Sequence, residues 1–390
     1  MTPMRCVRLT ALALIWCCLQ IGWAHAAPAS AAGPGISVSP PELTSMGMRT
    51  RAIRLSNVSA DGNVVVFTDK ERDPQLIAKG QVWRLRVFRF TPGSAKPKLT
   101  TILMPTADLS QVAISPDGSK ALCISDRGTR FIGADLTKGD AQVVFKFKRG
   151  EPSFRVMPEV AWFEKGHFHT IGYFMDADEV STSDAIVSID VPGRGFGAIH
   201  KVRDITTFLK PFKGLQQALW HSAEQAYFVG HGRPETPYML VSCFGEKSVV
   251  VTTAERYTNL AAGENRVVYG AKTGTSYALS VYDTPKAKRW TIDTAGRDLE
   301  YTYMSADGKT VVASTFDVKA GKMSTFYAHE ADGFKGHPVV GLADLPMGTQ
   351  RLSADGRVLW MYGPRGLNQY LIPVPKESKS SSPPPKTKTR

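Results

Sequence analysis

Four copies of Ser-x-Asp-Gly, each followed by a short apolar run, limit what this chain can become. They are Ser59-Ala60-Asp61-Gly62 before Val64 to Phe67, Ser115-Pro116-Asp117-Gly118 before Ala121 to Ile124, Ser305-Ala306-Asp307-Gly308 before Val311 to Ala313, and Ser353-Ala354-Asp355-Gly356 before Val358 to Trp360. Asp-Gly between strand-like segments is a tight-turn signal: Gly tolerates positive φ, and Asp hydrogen-bonds its own backbone two residues on. Apolar residues at consecutive positions fit a strand covered on both faces. The unit is therefore a β-hairpin with a buried second strand.

Spacing sets the number of units. Asp61 and Asp117 lie 56 residues apart, and Asp307 and Asp355 lie 48 apart. The 190 residues between Asp117 and Asp307 divide best into four. Three weaker turns must then fall between them, at Phe163-Glu164-Lys165-Gly166, Ser222-Ala223-Glu224-Gln225 and Ala262-Gly263-Glu264-Asn265. Division into three gives units of about 63 residues, long for four strands, so six units are the alternative and seven the preferred number.

Each unit also holds a third, alternating segment, at Val82 to Phe90, Thr129 to Ala134, Ala185 to Val191, Tyr238 to Cys243, Tyr277 to Tyr282, Met323 to Ala328 and Gln369 to Val374. A fourth precedes the next turn in most units, for example Ala141 to Phe147 and Ser248 to Thr253. Seven four-stranded units with almost no helical periodicity predict an all-β chain folded as a β-propeller. The last unit runs out of strands, while Ile36-Ser37-Val38 stands before the first without a partner. The N-terminal segment is expected to supply the missing outer strand and close the ring.

The order Ser-(Ala or Pro)-Asp-Gly, apolar run, Ser125-Asp126-Arg127-Gly128, alternating strand resembles the WD-like repeat of TolB-type propellers, most closely over residues 114–134. It covers roughly 55–375 and is specific for fold, not for activity. The TolB family carries an α/β domain before its propeller, for which this chain has no room. The propellers of prolyl-oligopeptidase-type peptidases are similar too, but the hydrolase domain and Gly-x-Ser-x-Gly that follow them are absent from the sequence.

Outside the propeller, residues 36–375, three segments are expected. Residues 1–26 read as a secretory signal peptide: Arg5 and Arg8, an apolar stretch from Leu9 to Trp23, then Ala24-His25-Ala26 before the cut. Residues 27–35 are a linker, and 376–390 a disordered basic tail rich in Lys, Ser and Pro. The protein is thus expected in the periplasm or outside the cell, with no integral membrane segment once the signal is removed. Cys123 and Cys243 fall in the second and fourth units, too far apart to bridge, and read as buried strand residues.

The formal charge of +13 is partly carried by the leader and the tail, which leaves a mild basic bias on the folded part. A solvated basic surface is the preferred account of it over a site for anionic glycans or phospholipid headgroups; the partner expected is a protein of the envelope, with an anionic glycan as the alternative and no nucleic acid. The loop after each unit's apolar run should open opposite the Asp-Gly turns, so these loops form one ring. They supply the candidate binding face: Asp69 and Arg72, Asp126 and Arg127, Asp176, Asp178 and Glu179, His231 and Arg233, Lys272, Asp317, and Arg365.

Three constellations bear on chemistry. His167 and His169 share a strand face but show no third metal ligand. The acidic cluster Asp176, Asp178, Glu179 and Asp184 resembles a calcium loop, although Val180 occupies a ligand position. Arg84 and Arg86 share a strand face, as an anion patch or the outer side of a blade. No motif demands a cofactor. The reading is an exported, non-catalytic binding module or assembly scaffold. The alternative is a metal-assisted lyase or lactonase acting on an anionic sugar, with His231 the first residue to suspect.

Overall fold

A computed structural model describes residues 33–373 apart from 49–52, 71–72, 92–93, 95, 149, 179, 192–198, 223, 234, 275, 295–296, 318–320, 340–341 and 343–347. The expected signal peptide, most of the linker, the basic tail, Arg72 and Glu179 lie outside the described residues. No helix among the described residues is long and apolar enough to cross a membrane.

The described chain forms seven four-stranded antiparallel sheets, so seven blades and not six. Blades 1 to 6 use their four strands in chain order, and their innermost strands are Arg54–Val58, Gln111–Ile114, Ser153–Glu164, Gly214–Ser222, Arg256–Gly263 and Asp298–Met304. Blade 7 runs Thr349–Leu352, Val358–Gly363, Gly366–Leu371 and, outermost, Gly33–Val38. Neighbouring innermost strands touch in order around the ring, and Arg54–Val58 meets Thr349–Leu352 to complete it.

The N-terminal strand thus closes the ring as expected, pairing Gly33 with Leu371 and Val38 with Leu367. It starts three residues before Ile36, inside the expected linker. Pro34 lies opposite Tyr370, and a bulge intervenes before Ser37. An outermost strand tolerates a proline because it has no further partner to receive the missing N–H.

A lone sheet leaves one apolar face in water; stacking removes it. Seven hydrophobic clusters fill the seven blade-to-blade interfaces, and the one between blades 7 and 1 holds Val38, Leu43, Phe67, Phe88, Phe90, Trp360 and Leu367. The apolar runs after the turns are the second strands, which explains their consecutive burial: Val64 to Phe67 and Ala121 to Ile124 contribute to clusters on both faces of their blades. Cys123, in the second strand of blade 2, and Cys243, in the third strand of blade 4, are buried and unbridged, and burial pushes the Cys243 thiol up to about 12.

The repeated turns share one hydrogen-bond pattern. In the second blade Ser115 Oγ donates to Asp117 Oδ1 at 2.5 Å and accepts from the Lys120 amide at 2.9 Å, while the Ser119 amide donates to Asp117 Oδ1 at 3.0 Å. Hydrogen bonds from Ser115 and then Ser119 hold the Asp117 carboxyl below the usual carboxylate range, against an opposing effect of partial burial. A lowered folded pKa adds stability above the unfolded value, about 3.9, and the gain disappears as pH falls through the folded one. Asp117→Asn should therefore melt below the parent at neutral pH, and the gap in Tm should close as pH drops below about 4. A gap that stays constant with pH would refute this account of the turn.

The turns also join one another. The Ala60 amide donates to the Pro116 carbonyl at 2.8 Å, Asp355 to Ala60 at 3.1 Å, Ala306 to Ala354 at 2.7 Å, and Glu264 to Ala306 at 2.7 Å. Blades 5, 6, 7, 1 and 2 are stitched by backbone hydrogen bonds on this lower face.

Candidate binding face

Each second strand runs back from its turn, so the connection to the third strand opens on the upper face, opposite the turns. The expected ring of loops is present, but the side chains in it differ in kind. Asp126 and Arg127 occupy a tight turn with left-handed φ of 51° and 55°. Asp126 pairs with Arg130 at 3.0 Å, which leaves Arg127 as the exposed charge of that loop. Arg233 is exposed at a turn closed by Thr236, and Arg365 is exposed in the turn before Gly366. Lys272 is half-buried in the second strand of blade 5, its ammonium 5.5 Å from the Tyr277 ring. Asp317 ends the second strand of blade 6, opposite Lys322.

Asp69 requires a correction. It lies inside the second strand of blade 1, is only 3% exposed, and binds Arg84 at 2.6 Å and Arg86 at 3.7 Å. An aspartate facing two arginines across a strand pair can stay buried because the charges offset one another, as an unpaired carboxylate could not. The same contact removes the anion-patch reading of Arg84 and Arg86, whose charges are used within the blade.

The other constellations also resolve locally. Asp176 Oδ1 accepts the amides of Asp178 at 3.0 Å and Val180 at 2.8 Å, so it closes a turn, while Asp178 is exposed. His167 is exposed against Asp190 at 2.8 Å, whereas His169 is buried on the Trp162 ring with its Nε2 3.1 Å from the Glu164 carbonyl. Burial lowers the His169 pKa, the Glu164 contact opposing it. His231 packs edge-on against Tyr238 at 5.5 Å. Among the described residues no three His, Cys, Asp or Glu side chains are placed to hold one metal ion.

Two clefts of about 410 Å³ open at the upper face. One lies between blades 2 and 3, beside the Asp176 turn, and includes Arg155, Tyr173 and Asp184. The Asp184 carboxyl is pushed up by burial first and by the charge of Asp204 second. The other lies at the channel rim, where blades 6, 7, 1 and 2 meet, and is walled by Arg54, Trp83, Gln111, Tyr301, Thr349 and Arg351. None of these six was among the loop candidates: Arg54, Gln111, Tyr301, Thr349 and Arg351 sit on innermost strands, and Trp83 begins the third strand of blade 1. A trace was visible: Arg351 stands two residues before the Ser of its turn motif, where the other clear copies carry Asn57, Ala113 and Tyr303.

No protein-family model and no curated protein matches the chain. Solved structures share its fold. The acylaminoacyl peptidase of Pyrococcus horikoshii aligns with a TM-score of 0.52 and 14% identity over 83% of this chain, which spans only 51% of the peptidase. The β-propeller domain of the Trilobed protease from Pyrococcus furiosus, described as having an open velcro topology, aligns at 0.52 and 11% identity over 82% of this chain and 96% of that one. An oligogalacturonate lyase in complex with manganese aligns at 0.54 and 11% identity, covering 88% and 96%. Such identities establish the propeller and nothing finer, so membership of the TolB-type family is not established.

Proposed function

We propose that the chain is an exported, non-catalytic binding module or assembly scaffold that engages a protein partner of the cell envelope through its upper face. The observation that carries this reading is the gathering of the loops between second and third strands on one face of a closed ring, beside two clefts. A stacked ring holds such loops in fixed relative positions, so several can meet one partner at little further cost in ordering. Arg127 and Arg233 suit contact because both are exposed. The mild basic bias of the chain favours an acidic surface opposite them.

The test is a cross-linked pull-down of the tagged full chain from its native envelope, beside a copy carrying Arg127→Glu and Arg233→Glu. Retention of a protein by the parent and its loss by the double variant, at unchanged Tm, is the expected result. Metal analysis accompanies it: a stoichiometric metal with no protein partner would overturn the scaffold reading and favour an enzyme acting on an anionic sugar.

A further inference from the structure

The cleft at the channel rim contains a fixed positive charge, Arg351, with no carboxylate within 4 Å of it among the described residues. Arg351, half-buried on the innermost strand of blade 7, donates from Nε to the Ser56 carbonyl at 2.8 Å and from Nη1 to the Gln350 carbonyl at 2.7 Å and Tyr303 Oη at 3.1 Å. Three of its five donors hold it between blades 7, 1 and 6. Both Nη2 donors are unused, and no carboxylate lies within salt-bridge distance, among the described residues. A guanidinium kept in one orientation with one nitrogen free can donate to a single carboxylate oxygen, and its ordering cost is already met by the fold.

The surroundings narrow the ligand further. Arg54 stands exposed at the lip of the cleft, and it has no ion-pair partner among the described residues. Gln111 Oε1, in the opposite wall, is buried with no hydrogen-bond partner and can accept an N–H. Of the apolar residues that line the cleft, Leu109 is half-buried, whereas Leu55 and Val112 are buried in the blade interfaces. We propose that this cleft binds a short acidic peptide segment of a partner protein, one carboxylate seated on Arg351 and an adjacent apolar side chain on Leu109. A polyuronate would bring a charge on every sugar and no apolar side chain, which fits this wall less well. The proposal rests on the reading of the upper face as a binding surface and names the chemistry that one part of it recognises.

The probe is a fluorescein-labelled Glu-Leu-Glu-Leu-Glu-Leu peptide, titrated with the full chain by fluorescence anisotropy against Gln-Leu-Gln-Leu-Gln-Leu and oligogalacturonate. The acidic peptide should bind, the neutral peptide should not, and Arg351→Gln should weaken binding about tenfold or more. Arg54→Gln should weaken it about two- to threefold, as an exposed charge does. Because Arg351 also links blades, Ser110→Tyr supplies a second arm: it fills the cleft from an exposed position and should abolish binding with Arg351 in place. Equal affinity for the neutral peptide, indifference to both cleft variants, no binding at all, or binding of oligogalacturonate alone would each overturn the proposal. Capture of an envelope protein that depends on Arg127 and Arg233 but not on Arg351 or Ser110 would remove this site and leave the broader reading standing.

Discussion

Replacing Trp360 with alanine should cost about 3–5 kcal/mol of stability, the range for deleting a buried Trp or Phe ring from a core. The indole is fully buried where the last blade meets the first, stacked on Phe90 with centroids 4.7 Å apart. Its Nε1 donates to the Gly62 carbonyl at 2.8 Å, so truncation also leaves that carbonyl without its partner. Phe67 and Tyr362 meet edge-on in the same interface, at 5.3 Å. Trp360→Phe keeps most of the packing and loses the hydrogen bond, so it should cost about 1–2 kcal/mol. Denaturant titration of the three proteins checks the order. An alanine variant within about 1 kcal/mol of the parent would mean that closure does not depend on this interface.

Gly118→Ala should cost about 2–4 kcal/mol, from backbone strain and overpacking together. Gly118 has φ of +65°, and a Cβ there would lie 2.7 Å from Val64 Cβ in the preceding blade. Gly62 meets Val358 in the same way, and Gly356 meets Ser305 and Thr310. Gly166, in a weaker turn, has φ of +87° but nothing within 4 Å of its would-be Cβ. Gly166→Ala therefore carries the strain without the clash and should cost about 1–2 kcal/mol. Thermal melts of the pair test the distinction. Equal losses would show that backbone conformation, not blade packing, requires glycine in the clear copies.

Architecture was legible because it rests on local chemistry that recurs, clearly in four of the seven units. Ser-x-Asp-Gly specifies its turn from within, through bonds between Ser115, Asp117, Ser119 and Lys120, and the apolar run after it can only be a strand covered on both sides. Even the weak turns at Lys165, Glu224 and Glu264 could be placed, because each stands before an apolar run and four intervals divide the gap between the clear copies into four-strand lengths. The start of the N-terminal strand was less legible, because Gly33-Pro34-Gly35 carries no strand propensity of its own and is held by its pairing with Leu371 and Tyr370.

The binding face was legible as a place and not as a set of residues. Charges in loops stand out in a sequence, and Arg127, Arg233 and Arg365 are indeed exposed on the upper face. Asp69 looks the same in the sequence but is used up by Arg84 and Arg86, which approach it only once the second and third strands pair. Arg351 looks like an ordinary strand residue, yet its three hydrogen bonds reach Ser56, Gln350 and Tyr303, two of them on other blades.

The sequence by itself determined the unit, its number and the need for closure, because turn geometry and consecutive burial depend on residues within a few positions of one another. Only the tertiary structure decided which charges are free and which are spent, and why glycine is required at one turn and merely tolerated at another. Those depend on what a neighbouring blade brings within 4 Å, across separations of about one whole repeat or, at the seam between Trp360 and Gly62, 298 residues.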